Sequence, residues 1–125
     1  MARCDEGYIC DVCGEDVENI SDSDLYLRFV IGELDPELLH TTPERHIRCN
    51  PALAQFIVDD QFDPIRCTGP FDKLTLDAGF VREREALVTR GYMRLLEIEA
   101  EGPEGDITTY PLPEAAEKYR RDLPN

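Results

Sequence analysis

The clearest periodic pattern in the chain is an alternation of apolar residues over positions 25–31. Every second residue of this segment is a large apolar one: Leu25, Leu27, Phe29 and Ile31. A period of two places these side chains on one face of a strand. We therefore expect a strand over residues 25–31, ended by Gly32.

Three dipeptides in the N-terminal half combine a capping side chain with a proline, a pattern typical of helix starts. They are Asp35-Pro36, Thr42-Pro43 and Asn50-Pro51. The first two predict short helical turns. The third predicts a longer helix that continues through Val58, with a buried face formed by Leu53, Phe56 and Ile57.

A helix, a hairpin and a second helix are predicted for the C-terminal part of the chain. The first helix covers residues 77–90 and ends at Gly91, which suits a left-handed cap. Apolar runs at 92–99 and 107–110, joined by a turn rich in glycine and proline, predict the hairpin. Pro113 begins the last helix.

Length and composition limit the classes of protein to which the chain can belong. The 125 residues suffice for one domain with a buried core, and 42% of them are hydrophobic. No run approaches the ~18 apolar residues of a membrane-spanning helix, so no membrane segment is expected. The first residues also lack the apolar stretch of a secretory leader. We therefore expect a cytoplasmic protein.

The charge is strongly negative and unevenly distributed. The chain has 27 acidic and 13 basic residues, a net charge of −14. Residues 1–60 hold fourteen acidic and four basic residues, a net of −10, and residues 15–24 are predicted to form an exposed acidic loop. Nucleic acid is disfavoured as a partner, because its phosphates require basic patches. Two interpretations stay open: a docking surface for a basic protein, or an acidic composition shared by the whole proteome.

The cysteines and histidines carry the most specific chemistry. The five cysteines are an odd number without a secretory leader, which disfavours a disulfide framework. Two segments, Cys10-Asp-Val-Cys13 and His46-Ile-Arg-Cys49, each hold two metal donors separated by two residues. A tetrahedral zinc site needs four such donors. Gly14 allows the first turn to tighten, and Cys49 precedes a helix start, where the helix dipole favours a thiolate.

Each of these residues has another interpretation. Cys10 and Cys13 could form a redox pair or be unrelated thiols, with pKa values raised by the neighbouring acidic residues. His46 could be an ordinary histidine. Cys4 or Cys67 could replace His46 as a ligand, although both are also compatible with free, buried thiols. His40 is better interpreted as a polar residue at the end of a short helix.

A cysteine knuckle, a strand region and a ligand pair at a helix start together resemble the treble-clef type of zinc-binding domain. The resemblance covers residues 4–58. It implies that Cys10, Cys13, His46 and Cys49 bind Zn²⁺. It implies no reaction, because domains of this type serve many purposes. A filled site would be structural, whereas a zinc hydrolase would need an open coordination position.

The predicted helix, hairpin and final helix are similar to the end of a winged-helix DNA-binding domain. A zinc-containing regulator that binds DNA is therefore an alternative function. Against it, the candidate wing carries five acidic side chains that phosphates would repel: Glu97, Glu99, Glu101, Glu104 and Asp106. No nucleophile elbow, phosphate-binding glycine loop or H-E-x-x-H motif indicates an enzyme, and no catalytic residue is assigned.

Together these patterns predict an α+β protein stabilised by zinc. We expect a zinc-binding portion at residues 1–58, a connecting loop at 59–76 and a helix-hairpin-helix portion at 77–125, packed as one compact domain. The leading functional hypothesis is a structural zinc protein that acts through protein–protein contacts. Its acidic N-terminal half would meet a basic protein partner, and the sequence leaves the biological process and oligomeric state open.

Overall fold

The computed structural model describes residues 9–39, 41–102 and 107–122, and these residues form a helical protein. The helices are α1 (Asp24–Val30), α2 (Pro51–Ala54), α3 (Ala78–Glu101) and α4 (Pro113–Asp122). Single 3₁₀ turns lie at Ile20–Asp22, Pro36–Leu38, Ile47–Cys49, Lys73–Thr75 and Ile107–Thr109. Within the described ranges, β pairing is limited to two isolated bridges, Ile9 with Asp16 and Ser23 with His46. The α+β prediction with short strands is therefore wrong.

The segment predicted as the first strand is helix α1. Its start is fixed by Ser23, whose side-chain oxygen accepts a hydrogen bond from the Tyr26 N–H at 3.0 Å. Apolar residues occupy most positions of this segment, so the sequence fits a helix buried on most sides as well as a strand. Leu27 and Val30 are fully buried, and packing on several sides selects the helix.

The predicted hairpin is also wrong, because α3 continues through its first strand. Gly91 lies inside the helix, and α3 ends only at Gly102, which adopts a φ of +92°. The buried residues Val88, Tyr92, Leu95 and Ile98 follow one helical face through the region predicted to turn. Within the described residues, no hairpin remains that could serve as the wing of a winged-helix domain. Residues 103–106, which belong to the predicted turn, lie outside the described residues.

Several of the predicted helix starts are confirmed. Asp35 and Asp77 cap their helices by accepting hydrogen bonds from Glu37 N and Phe80 N, at 2.9 and 3.0 Å. Pro113 begins α4. Thr42-Pro43 starts no helical turn, and the chain there runs irregularly toward His46.

Helix α2 is shorter than expected, although its predicted buried face is correct. Its four residues follow Asn50, whose side chain makes no capping hydrogen bond. The Asn50 amide instead donates to the buried carboxylate of Asp24 at 3.0 Å. Leu53, Phe56 and Ile57 are all buried, as the spacing predicted. Phe56 and Ile57 thus lie beyond the end of α2 and are buried although the helix does not reach them.

Helix α1 lies at the centre of the hydrophobic core. It packs against α3, where Gly91 lies directly against the side chains of Leu27, Val30 and Ile31. Helix α4 covers another side of α1, where the Tyr119 ring stacks on Phe29 at 5.6 Å between centroids. The Tyr119 hydroxyl donates to the Phe29 carbonyl at 2.7 Å. The expected division of the chain into three portions stays a prediction.

The acidic segment 15–24 packs more closely than expected. Val17 and Ile20 are buried, and the 3₁₀ turn at Ile20–Asp22 contacts α3. The Ser21 hydroxyl donates to the Glu99 carboxylate of that helix at 2.7 Å. The segment therefore exposes most of its acidic side chains, while its apolar ones and Asp24 are buried. No helix in the described part of the chain is long and apolar enough to cross a membrane.

Candidate metal centre

Residues 9–16 form a tight turn, which we call the knuckle. Backbone hydrogen bonds close it, from Gly14 N to Cys10 O at 3.0 Å and from Cys10 N to Glu15 O at 2.9 Å. Gly14 has a φ of +80°, a conformation that favours glycine, as the sequence indicated. The Val12 N–H points at the Cys10 sulfur at 3.4 Å. The turn thus directs two cysteines to one side and holds them with its own backbone.

The second donor pair lies on the 3₁₀ turn at Ile47–Cys49. His46 precedes this turn, and Cys49 N donates to His46 O at 3.0 Å. The buried side chain of Ile47 anchors the turn in the core. The knuckle approaches from the other side, since His46 N lies 3.4 Å from the Cys10 sulfur. The fold therefore joins two segments that residues 14–45 separate in sequence.

Cys10, Cys13, His46 and Cys49 converge, and their donor atoms all lie within 4.8 Å of one another. The Nδ1 atom of His46 is 3.3 Å from the Cys13 sulfur and 3.9 Å from the Cys49 sulfur. Zinc–sulfur bonds of about 2.3 Å in a tetrahedron place neighbouring sulfurs ~3.8 Å apart. The spacing of the four donors therefore fits a single tetrahedral ion.

A backbone carbonyl orients the imidazole of His46. Its Nε2 atom lies 2.8 Å from the carbonyl oxygen of Asp16. Because a carbonyl can only accept, Nε2 carries the hydrogen and Nδ1 presents its lone pair to the three sulfurs. Histidines that bind metals are commonly fixed by a partner of this kind. This role of Asp16 is not predictable from the sequence, because a main-chain contact leaves no trace in residue type.

The thiols titrate differently from what the sequence indicated. Burial acts to raise the pKa of Cys10, but main-chain hydrogen bonds from Cys13, His46 and Val12 outweigh it and lower the pKa to about 6. The pKa of Cys49 rises to about 12, first through burial and then through the neighbouring Cys10 and Cys13. Sulfurs this close cannot all be anionic without a cation, and a bound metal ion removes that conflict.

The imidazole of His46 is shifted toward its charged form. Burial acts to lower the pKa of His46, but the Asp16 carbonyl and the Cys10 sulfur outweigh it, so the pKa is raised. At Cys49, burial and then the neighbouring Cys10 and Cys13 outweigh the helix dipole and raise the thiol pKa, and a bound metal ion would restore the thiolate.

A buried carboxylate lies directly behind the second pair. Glu44 is 4% exposed and accepts hydrogen bonds from the Ser23 hydroxyl, at 2.9 Å, and from Arg45 N, at 2.9 Å. Its own carbonyl accepts from Asp11 N of the knuckle at 3.0 Å. Burial is the main reason that the pKa of Glu44 is raised. Glu44 thereby ties the knuckle, the His46 segment and the start of α1 together.

Asp24 connects the same region to α1 and α2. Its carboxylate is fully buried and accepts from Arg28 Nε and Asn50 Nδ2, both at 3.0 Å. Burial raises its pKa, and the two hydrogen bonds oppose that rise only in part.

An ion pair on the surface also joins the two segments. The guanidinium of Arg45 donates two hydrogen bonds to the carboxylate of Asp11, at 3.0 and 3.1 Å. This ion pair closes the knuckle over the second pair.

The other candidate ligands do not join the cluster in the described part of the chain. Cys67 is half-buried, and its sulfur lies 3.9 Å from the carbonyl of Thr68. Cys4 and His40 lie outside the described residues. The structure therefore brings His46, and not Cys67, to the three cysteines.

No protein-family model matches the chain, and no curated protein or solved structure matches it either. The treble-clef resemblance is thus supported at the level of the donor set alone. What the fold and the site define is a helical protein with a Cys₃His cluster compatible with zinc.

Proposed function

We propose that Cys10, Cys13, His46 and Cys49 bind one zinc ion, and that the ion is structural. The observation that carries this proposal is the convergence of four donor atoms within 4.8 Å, with Nδ1 of His46 facing the sulfurs. Three sulfurs and one imidazole bind zinc in preference to magnesium or calcium, which bind mainly oxygen ligands.

A structural role follows from the number of donors. Four protein ligands complete a tetrahedral shell and leave no position for a reactive water. Such sites contribute apparent binding free energies of ~10 kcal/mol or more to folding. Here the ion would join the knuckle to the segment at residues 44–49, which otherwise contacts the knuckle through a few hydrogen bonds and the Asp11–Arg45 ion pair.

Metal analysis of protein purified without added metal tests the zinc site. We expect about one zinc per chain in the wild type and in the Cys67→Ser control, because Cys67 lies outside the cluster. His46→Ala should lose most of the zinc. Zinc far below one per chain in the wild type would refute the proposal, and full retention by His46→Ala would remove His46 from the ligand set.

We also propose that the protein works through contacts with a basic protein. Glu15, Glu18 and Asp22 are exposed around the knuckle, and no basic residue occurs between positions 9 and 27. Bound to three thiolates, zinc leaves the site itself with a net charge of −1, so the ion does not neutralise this surface. A positively charged protein segment is the complementary partner.

Affinity capture with matched charge variants tests this second proposal. Glu15→Gln/Glu18→Gln removes charge beside the knuckle, and Glu83→Gln/Glu117→Gln removes the same charge from exposed positions on α3 and α4. We expect the first variant to lose a basic protein that the wild type and the control retain, and salt to release that protein. An unchanged set of captured proteins would contradict the proposal.

A further inference from the structure

The three sulfurs of the cluster differ in their access to solvent. Cys10 is 1% exposed, Cys49 is half-buried, and Cys13 is exposed. A dissolved reagent therefore reaches the site first at the Cys13 sulfur. Susceptibility of cysteine to oxidants follows thiolate character and exposure, and binding to a metal keeps a thiol deprotonated.

Cys10 and Cys13 stay together without any help from a metal. The hydrogen bonds from Gly14 N to Cys10 O and from Cys10 N to Glu15 O lie within the knuckle. Cys49 belongs to a different segment, and the metal ion would be a main link between the two. Cys10 therefore stays within reach of an oxidised Cys13 even when the two segments separate, whereas Cys49 is within 4.8 Å of Cys13 only while they stay joined.

We propose that the Cys₃His site is an oxidation-sensitive latch, in which hydrogen peroxide converts Cys10 and Cys13 to a disulfide and zinc is released. The inference rests on the proposed zinc site. The Cys13 thiolate attacks one peroxide oxygen, the O–O bond breaks, and Cys13 becomes a sulfenic acid while the departing hydroxide takes a proton. The Cys10 thiolate then attacks the Cys13 sulfur and displaces a second hydroxide, which also takes a proton. Two thiolates, one peroxide and two protons thus give one disulfide and two waters.

Zinc release follows because the disulfide removes two of the four donors. His46 and Cys49 remain, and two ligands hold zinc much more weakly than four. Without the ion, the knuckle is joined to residues 44–46 by the Asp11–Arg45 ion pair and by two hydrogen bonds, one from Asp11 N to Glu44 O and one from His46 Nε2 to the Asp16 carbonyl. Oxidation would thereby loosen the acidic knuckle and its surface reversibly.

Zinc release from the zinc-loaded chain of 125 residues measures the proposed reaction. Hydrogen peroxide is added in the presence of a coloured zinc indicator, and the disulfides are mapped by peptide mass spectrometry. We expect one zinc released per disulfide formed between Cys10 and Cys13, and recovery of zinc binding after reduction with dithiothreitol. Cys67→Ser is the matched control and should release zinc at the wild-type rate.

The possible outcomes distinguish a failure of the proposed zinc site from a failure of the proposed oxidation of Cys10 and Cys13. A chain without zinc before peroxide is added refutes the proposed function. A chain that keeps its zinc while Cys67 is oxidised, or that loses zinc without a Cys10–Cys13 disulfide, refutes the latch alone. Cys13→His keeps four donors but cannot form the disulfide, so it should bind zinc and resist release by peroxide. Equal release from this variant would also overturn the latch.

Discussion

Gly91 of α3 lies against Ile31 at the end of α1, so closely that a β-carbon at position 91 would overlap the Ile31 Cγ2 atom. The same β-carbon would come within 3.1 Å of Leu27 Cδ1. Glycine is therefore needed here for the approach of two helices, and not for a turn. This contact sets the position of α1, which carries the buried Asp24, relative to α3, the longest of the described helices.

Replacing Gly91 with alanine should destabilise the protein despite the better helix propensity of alanine. Overpacking against Ile31 and Leu27 costs about 1–3 kcal/mol, and the propensity gain of ~1 kcal/mol offsets only part of it. Urea denaturation of the zinc-loaded protein measures the change. Gly79→Ala in the same helix is the control, because its β-carbon would meet only the Asp77 side chain, at 3.2 Å. Equal stabilisation by both substitutions would show that α1 and α3 do not pack this closely.

His46 should bind the metal through Nδ1. The hydrogen bond from its Nε2 to the Asp16 carbonyl leaves Nδ1 as the free donor. In the zinc-loaded, ¹⁵N-labelled protein, the long-range ¹H–¹⁵N pattern of His46 should be that of a ring protonated at Nε2, and cadmium substitution should give a ¹¹³Cd coupling to Nδ1. A coupling to Nε2 would mean that the Asp16 contact is broken in the loaded protein.

Removing the metal should loosen the knuckle before the helical core. Few apolar side chains hold the knuckle in place, whereas α3 contributes Val88 and Leu95 to the centre of the core. Amide hydrogen exchange before and after treatment with a chelator measures the difference. We expect Cys10 N and Gly14 N to lose protection, and the amide of Leu95 to keep it. Equal loss across α3 would instead show that the whole fold depends on the ion.

Substituting Asp24 with asparagine should change how stability depends on pH. Burial raises the folded-state pKa of Asp24 above the unfolded value of about 3.9. Its contribution to stability is therefore fully present below the unfolded pKa and is lost as pH rises through the folded pKa. The unfolding free energy of the wild type minus that of Asp24→Asn should fall as pH increases from about 4.

Urea denaturation at a series of pH values, with the same excess of zinc in both proteins, provides that comparison. The metal ligands are identical in the two chains, so their own titration largely cancels. Asparagine can still accept the hydrogen bond that Asn50 donates to Asp24. A difference that grows with pH would show that Arg28 and Asn50 stabilise the Asp24 carboxylate more than burial destabilises it.

The secondary structure could be predicted only where a local interaction decides it. The caps at Asp35 and Asp77 were predictable because a side chain satisfies the N–H groups of its own helix end. Residues 25–31 were not, because short apolar runs fit a strand or a buried helix equally well. Ser23 followed by Asp24 was the local sign of a helix start that could have settled the choice.

Gly91 shows why the C-terminal prediction failed. A glycine at the apparent end of a helical pattern indicates a cap, but the same residue type also permits close helix packing. Only the position of Ile31, sixty residues earlier in the chain, distinguishes the two uses. The buried series Val88, Tyr92, Leu95 and Ile98 was compatible with a continuous helix throughout.

The sequence by itself determined which residues carry metal-donor chemistry and that two pairs of them are separated by two residues, because thiols and imidazoles have that chemistry wherever the chain places them. Tertiary structure alone decided that the two pairs meet across residues 14–45, that His46 rather than Cys67 completes the cluster, and that Nδ1 faces the sulfurs. It also decided that the apolar runs become helices. The physical reason is that donor chemistry belongs to single residues, whereas helix, strand and convergence depend on the surfaces that distant segments present to one another.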